Sequence, residues 1–185
     1  TKMCVRDLFF NTPARKKFQK SVTTEFNHIL EVFYNQAIIC NNISFELIHN
    51  NRTVLKLLKT DDRQKRIADI YGPAMKEEFY IVNYKNDLIS ITGYTSKKTF
   101  TRSNRNMQKV FVNNRVVKDK IISSSIQTVY RDILMTGRFP VLFLFISVSN
   151  DFVDVNVHPA KHEVKFKDEG FVFNSVKRAV KESVY

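Results

Sequence analysis

The run VLFLFISV, from Val141 to Val148, is the feature that most constrains how this chain can fold. A membrane-spanning helix needs about 18 or more consecutive apolar residues, and no run of that length occurs, so we expect no membrane span. The run has the length of a central β-strand that is buried on both faces. It therefore predicts a sheet with other elements packed around it.

The remaining hydrophobic periodicity predicts an α+β protein. Apolar residues at the helical period of 3.6 and at the strand period of two alternate along the chain. We expect strands at 2–8, 43–47, 52–58, 79–84, 88–94, 108–112, 141–149 and 153–157, with a hairpin turn at Asn50 and Asn51. Helices are expected at 13–20, from after Thr23 or Thr24 to about 40, at 62–71, at 119 to about 133 with Asp119 as its cap, and at 169–185. This order predicts a mixed β-sheet with helices on one face.

The stretch VDVNVHPAKHEVKF, from Val153 to Phe166, carries a second pattern. Its first half alternates apolar and polar residues, as in a strand with one buried face, and Pro159 then interrupts the ladder. Lys161 follows in a loop between two short strands, where a fixed ammonium suits a phosphate. The pattern alone favours the alternative interpretation, a solvated turn lysine.

The charge balance favours a polyanionic partner. The chain has 30 Lys and Arg against 18 Asp and Glu, a formal net charge of +12, and an excess of this size favours nucleic acid first and nucleotide phosphate second. The candidate DNA-binding residues are Arg115, Lys118 and Lys120 around a predicted helix start, and Lys97, Lys98, Arg102 and Arg105 in a polar loop. A charged, solvated loop remains the alternative for the last four. Few aromatic residues interleave with these cations, so the expected contact is electrostatic and independent of sequence.

No metal site or secretion signal is expected. His158 and His162 have helical spacing, but Pro159 lies between them and the segment is strand and loop, so the helical metal geometry fails. Asn156 and His158 are instead expected to support the loop that carries Lys161. Cys4 and Cys40 lie in apolar runs, and we expect both to be buried thiols in a reducing compartment. No signal-peptide pattern opens the chain.

Three ordered blocks resemble the MutL family of DNA mismatch-repair proteins, which belong to the GHKL ATPases. The first is VRDLFFNTPARKKF from Val5 to Phe18, the second VFVNNRVVKDKI from Val110 to Ile121, and the third is VDVNVHPAKHEVKF. The similarity covers nearly the whole chain. The segment TEFNHI from Thr24 to Ile29 and the form of the third block resemble bacterial members.

The resemblance implies a fold and a domain boundary. It implies the transducer domain of gyrase-type ATPases, a fold shared with a ribosomal protein, which contains a left-handed crossover. Residues 1–11 would end the ATPase domain and form the junction, and residues 12–185 would form the transducer. The chain has only four glycines and no phosphate-cradling loop, so we expect a fragment that lacks the ATP-binding core and hydrolyses no ATP by itself.

The resemblance also assigns roles to single residues. Lys161 would contact the terminal phosphate of ATP, held with Mg²⁺ by the neighbouring domain, so the cofactor belongs to the full-length protein and not to this fragment alone. Asn11, Thr12 and Arg15 would lie at the domain junction near the nucleotide, although helix capping and a solvated arginine are the simpler alternative. Lys120 would occupy the position of a DNA-binding arginine of the family, keeping its charge but losing the bidentate fork.

The implied partners are DNA, the ATPase domain in the same chain and a second MutL subunit. The mismatch sensor, nuclease and helicase of the repair pathway are implied by the resemblance alone, as is a location in the bacterial cytoplasm. Two other functions stay open at this point. One is the transducer domain of a type II topoisomerase, which also carries a lysine that contacts phosphate. The other is a stand-alone RNA-binding module, which the charge permits.

Overall fold

In the computed structural model the chain divides into two units. The longest helix of the first unit is α2, Val22–Ile39. The structure describes residues 1–154 and 164–185. Unit one comprises residues 1–61 and unit two residues 62–185. The boundary between Asp61 and Asp62 is not the junction expected after residue 11, which concerns a domain outside this chain and stays a prediction.

Unit one contains two helices and a β-hairpin. Helix α1 spans Pro13–Lys17 and precedes α2, and strands β1, Phe45–His49, and β2, Arg52–Leu57, are antiparallel. Asn50 and Asn51 both have positive φ, at 50° and 58°, which is the backbone of a tight hairpin turn that asparagine tolerates. The predicted hairpin at these two residues is therefore confirmed.

Three expectations for unit one were wrong. Residues 2–8 form no strand, although their sequence is compatible with one. Helix α2 begins at Val22, because the Ser21 hydroxyl accepts a hydrogen bond from the Thr24 amide at 3.3 Å and so caps the helix earlier than Thr23 or Thr24 would. Cys4 is exposed and Cys40 is half-buried, so neither is a buried thiol.

Unit two contains the main sheet and most of the helices. Its elements are α3 (Arg63–Tyr71), α4 (Ala74–Glu77), β3 (Phe79–Lys85), β4 (Ile89–Ser96), β5 (Thr101–Arg102), β6 (Gln108–Val112), β7 (Arg115–Val117), α5 (Lys120–Tyr130), β8 (Phe139–Pro140), β9 (Leu142–Val148), a 3₁₀ turn (Asn150–Phe152), β10 (Val153–Asp154), β11 (Lys165–Phe166) and α6 (Glu169–Val184). Five strands form one sheet in the order β3-β4-β9-β6-β7. Only the β6–β9 pair among these is parallel, so the sheet is mixed, as predicted.

Strand β9 lies in the middle of the sheet and is buried on both faces. Leu142, Leu144 and Ile146 join the core cluster formed with α5 and α6, and each is at most 2% exposed. Phe143 and Phe145 point to the opposite face, where the Phe143 ring lies 5.6 Å from the ring of Tyr71 on α3. The expected helices on one face are therefore α5 and α6, while α3 contributes side chains to the other. Burial of Leu142, Leu144 and Ile146 contributes roughly 1.5–3 kcal/mol per side chain to the free energy of unfolding.

Two smaller pairs complete unit two. Strand β5 pairs with β8, joining Thr101 to Pro140 and Arg102 to Phe139. Strand β10 pairs with β11, joining Val153 to Phe166. The second pair confirms that short strands lie on either side of the 155–163 segment. The handedness of the crossover between β6 and β9 stays a prediction.

Candidate nucleic-acid interface

Helix α5 presents one apolar face to the sheet and one polar stripe to solvent. Its buried residues include Ile122, Ile126 and Val129. The exposed residues at the helical repeat form what we call the α5 stripe: Lys120, Ser124, Gln127 and Arg131. Lys120 and Gln127 are two turns apart, about 10 Å along the axis. This length matches about three phosphates of one DNA strand.

The start of α5 is fixed by a side-chain cap. The Asp119 carboxylate accepts a hydrogen bond from the Ile122 amide at 2.9 Å, which confirms the predicted cap. Because Asp119 holds the first turn, Lys120 projects from a rigid helix end and Lys118 directly precedes the cap. Both lysines are exposed.

The β6–β7 hairpin positions Arg115. Its turn residues Asn113 and Asn114 have positive φ, at 45° and 61°. The Asn113 side chain accepts a hydrogen bond from the Val148 amide at 3.0 Å and donates one to the Val148 carbonyl at 2.9 Å, so it ties the turn to β9 as a further strand residue would. This contact holds Arg115 on the edge strand β7, where its side chain is exposed. Three residues of extended chain, roughly 10 Å, separate Arg115 from Lys118.

Arg105 joins this surface through α5. Its guanidinium donates a hydrogen bond to the Gln127 side-chain oxygen at 2.7 Å, and its central carbon lies 5.0 Å from the centre of the Phe139 ring. Gln127 belongs to the α5 stripe, so the structure brings Arg105 and Lys120 to the same helix face. These two predicted residues form one basic surface.

The other three loop residues do not all join it. The Lys97 ammonium donates to the Glu77 carbonyl at 2.6 Å, and the Thr99 hydroxyl donates to the Glu78 carboxylate at 3.3 Å, so this end of the loop lies against the acidic end of α4. Lys98 is exposed beside it. Arg102 lies over the Phe100 ring at 4.6 Å and pairs with Phe139 across β5 and β8. We conclude that Arg102 and Arg105 lie near α5, whereas Lys97 lies against α4.

Two arginines that sequence reasoning missed complete the surface. Arg131 closes the α5 stripe, and the Arg138 side chain donates to the Thr101 hydroxyl at 2.9 Å. With Arg105 they line a pocket of about 200 Å³, which we call the arginine pocket. Helical periodicity from Lys120 would have pointed to Arg131. Arg138 follows a turn, and only the β5–β8 pairing brings it to this site.

A buried tyrosine forms the floor of the arginine pocket. Tyr130 is 4% exposed, and its hydroxyl donates to the Ser96 carbonyl at 3.0 Å and shares a 2.7 Å hydrogen bond with the Thr95 hydroxyl. Burial raises the pKa of Tyr130 to about 12, although the hydrogen bond with Thr95 acts in the opposite direction. The end of α5 is therefore fastened to β4 by a neutral phenol.

The remaining predicted site residues are not part of the surface around α5. Lys161, Asn156 and His158 lie outside the described residues. Asn11 and Arg15 are exposed in unit one. Thr12 is the N-cap residue of α1, but its side chain makes no capping hydrogen bond, so only its position agrees with the predicted cap.

The described residues, 1–154 and 164–185, contain neither a metal-binding cluster nor a membrane-spanning helix. Within them no three His, Cys, Asp or Glu side chains are grouped so that they could hold a metal ion. Nor is any helix in that part of the chain both long enough and apolar enough to cross a membrane.

Comparison with known proteins identifies the class. The family model described as DNA mismatch repair protein, C-terminal domain, matches residues 67–185, which includes the sheet, α5 and α6. This chain therefore belongs to the DNA mismatch repair protein family.

The relatives and solved structures agree with this family. The chain is 41% identical over 187 residues to the DNA mismatch repair protein MutL of Pseudomonas syringae and 42% identical over 171 residues to that of Pseudomonas fluorescens, covering 97% and 91% of this chain. It spans only 29% and 27% of those relatives. A crystal structure of the N-terminal domain of a DNA repair protein is 26% identical with a TM-score of 0.77, over 95% of this chain and 58% of that one. The Aquifex aeolicus MutL ATPase domain, complexed with ADP, shares the fold at 21% identity and a TM-score of 0.61, over 93% of this chain and 55% of that one.

Proposed function

We propose that this chain is the transducer part of the N-terminal ATPase region of a bacterial MutL protein and that it acts in DNA mismatch repair. The family match over residues 67–185 supports this most directly. It favours mismatch repair over the topoisomerase and RNA-binding alternatives. In this proposal the chain has no catalytic role by itself, and the full-length protein works in the bacterial cytoplasm with DNA, a second MutL subunit, and the mismatch sensor, nuclease and helicase of the pathway.

The proposed DNA contact is the surface around α5. Lys120, Lys118, Arg115 and Arg105 present cations along one rigid helix and the hairpin before it. Contacts from lysine and arginine side chains to phosphates position a protein on DNA without reading its bases. Lys97 contributes little in this proposal, because it lies against α4.

The DNA contact is tested by removing one charge. We expect Lys120→Gln to weaken binding of a labelled duplex at low salt by roughly three- to five-fold and to lower the slope of log affinity against log salt by about one. Lys181→Gln is the matched control, since Lys181 is an exposed helical lysine on α6. Equal loss in the two variants would mean that only net charge matters, and the α5 surface would not be the site.

The proposed nucleotide contact is made by Lys161. In the full-length protein its ammonium reaches the terminal phosphate of ATP, bound with Mg²⁺ by the ATPase domain, and stabilises charge on the transferred group. Because the contact exists only when that phosphate is present, it makes domain closure and dimerisation depend on nucleotide state. Asn11, Thr12 and Arg15 lie at the junction across which this contact forms.

The nucleotide contact is tested in the full-length protein. We expect Lys161→Ala to lower ATP turnover by on the order of 10²-fold, as expected for the loss of one electrostatic donor. Lys165→Ala is the control, because Lys165 is a nearby exposed lysine on β11. Unchanged turnover of Lys161→Ala at saturating ATP would refute the role.

A further inference from the structure

The arginine pocket has a composition suited to a phosphate-bearing ligand. Among the described residues that line it are Arg105, Arg131 and Arg138, together with Gln108, Gln127, Ser123 and Thr136, and no carboxylate. A concave site with three guanidinium groups and neutral donors favours an anion. Guanidinium binds phosphate in a bidentate way that ammonium does not.

The guanidinium groups of the arginine pocket retain N–H donors that their hydrogen bonds within the protein do not use. Arginine has five N–H donors. Arg105 donates one to Gln127, and Arg138 donates to the Thr101 hydroxyl at 2.9 Å and to the Thr101 carbonyl at 3.4 Å. Arg131 lies 3.9 Å from the Asp132 carboxylate, and both side chains are more than 70% exposed, so this ion pair is weak. The partners hold the Arg105 and Arg138 side chains in place without using all their donors.

The other wall of the arginine pocket is apolar. It is formed by Leu134, Met135, Phe139 and Pro140. Met135 is 85% exposed and presents a flexible apolar side chain there. A bare phosphate needs no such wall, whereas the sugar and base of a nucleotide do. A volume of about 200 Å³ lies below that of drug-sized pockets, so the arginine pocket can take no more than one unit of a polymeric ligand.

The arginine pocket is continuous with the α5 stripe. Gln127 and Arg131 belong to both, and Arg105 is bonded to Gln127. A strand whose backbone follows the stripe from Lys120 would therefore arrive at the pocket after about three phosphates. Bases inside a duplex are stacked and cannot enter a pocket, so the ligand has to be an unpaired nucleotide.

We infer that the arginine pocket binds one unpaired nucleotide of a DNA strand, with its phosphate on Arg138 and Arg131 and its sugar and base against Phe139 and Met135. The inference rests on the proposed DNA contact for the choice of ligand. It adds single-stranded DNA, at a strand end or an opened pair, to the duplex bound along α5.

The test uses this chain and three probes: thymidine 5′-monophosphate, thymidine, and a 12-nucleotide thymidine strand. Binding is followed through the backbone amide signals of Gly137 and Arg138. We expect the monophosphate to shift these signals and thymidine not to do so at the same concentration. We expect the strand to bind at least ten-fold more tightly than the monophosphate, because it also contacts the α5 stripe. Equal affinity of the two would overturn the assignment to a strand, and no shift with either would overturn the site.

Variants separate the arginine pocket from net charge. Arg138→Gln is expected to weaken strand binding about ten-fold, the loss expected for charge-assisted hydrogen bonds. Arg131→Gln changes a side chain that is 71% exposed, and it is expected to weaken strand binding in the same direction if Arg138→Gln proves unstable. The control is Arg178→Gln on α6, which removes the same charge from an exposed arginine outside the pocket lining. Loss of the same size in the control would overturn the proposal.

The outcome also distinguishes this inference from the proposed function. Duplex binding that depends on Lys120, with no response at Gly137 to any probe, would overturn the arginine pocket and leave the DNA contact intact. Absence of both duplex binding and the Gly137 response would overturn both.

Discussion

Gly93 shows at the scale of one residue how closely the central strands approach each other. It lies in the interior of β4 with φ of +147°, opposite Leu144 of β9 and Val82 of β3. A Cβ atom built there would lie 2.0 Å from the Phe143 carbonyl oxygen. Both the backbone angle and the contact with a neighbouring main chain therefore require glycine at this position.

We expect Gly93→Ala to lower the free energy of unfolding by roughly 3 kcal/mol or more, since main-chain atoms of a central strand cannot move aside. Urea unfolding monitored by circular dichroism measures this. Gly170→Ala is the matched control, because Gly170 lies in the first turn of α6, where the nearest atom to an added Cβ is 3.4 Å away. The control should change stability by no more than about 1 kcal/mol, in the stabilising direction. Equal effects would show that β4 yields at this point.

Tyr130 makes stability depend on pH at the alkaline end. Its pKa is about 12 in the folded protein and near 10 in an unfolded chain. The stabilisation that comes from keeping the phenol neutral is therefore complete below pH 10 and is lost as the pH rises through about 12. The shift corresponds to roughly 2–3 kcal/mol.

We expect the free energy of unfolding of the wild type to fall more steeply between pH 10 and 12 than that of Tyr130→Phe. At pH 8 the variant should be less stable by about 1–2 kcal/mol, because Thr95 and Ser96 lose a buried hydrogen-bond partner. Tyr185→Phe is the control, as Tyr185 is 79% exposed. Parallel pH profiles for the wild type and Tyr130→Phe would contradict the raised pKa.

At the scale of an element, α5 combines a core-packing face and a charged surface in one helix. Its buried face packs in the core with β9 and α6, and its exposed stripe carries the cations. The Asp119 cap serves both, because it starts the helix where the stripe starts. A change at this residue therefore separates helix stability from surface charge.

We expect Asp119→Ala to lower the free energy of unfolding by about 1 kcal/mol and Asp119→Asn to lower it by much less, since asparagine caps nearly as well as aspartate. The two variants remove the same negative charge. Both should then bind DNA at least as tightly as the wild type. Thermal unfolding and duplex titration at one salt concentration measure the two effects, and weaker DNA binding by Asp119→Asn would contradict the proposed contact at Lys120.

At the scale of the whole molecule, the net charge of +12 favours the electrostatic DNA contact proposed above, and a contact of that kind weakens as salt is added. With four or five phosphate contacts, the log of the duplex affinity should fall with log salt at a slope of roughly −4. Fluorescence anisotropy at five salt concentrations measures this slope. An affinity independent of salt would exclude an electrostatic contact of the kind proposed.

Several elements could be predicted from residues that are neighbours in the sequence. The cap at Asp119, the asparagine turn at Asn50 and Asn51, and the apolar run of β9 each depend on residues adjacent in the chain, and each is confirmed. The predicted strand at residues 2–8 was wrong because a strand needs a partner for its main-chain hydrogen bonds, and alternation along the sequence does not supply one.

The fold class, the family resemblance and the basic character of the α5 region could be predicted from the sequence, because periodicity, caps and charge are properties of neighbouring residues. Which cations come together on one surface depends on the folded chain. Lys97 lies against the acidic end of α4, whereas Arg105 bonds to Gln127 and Arg138 to Thr101, 22 and 37 positions away along the chain. Contacts over such separations arise from strand pairing and helix packing, and a charge pattern along the chain carries no record of them.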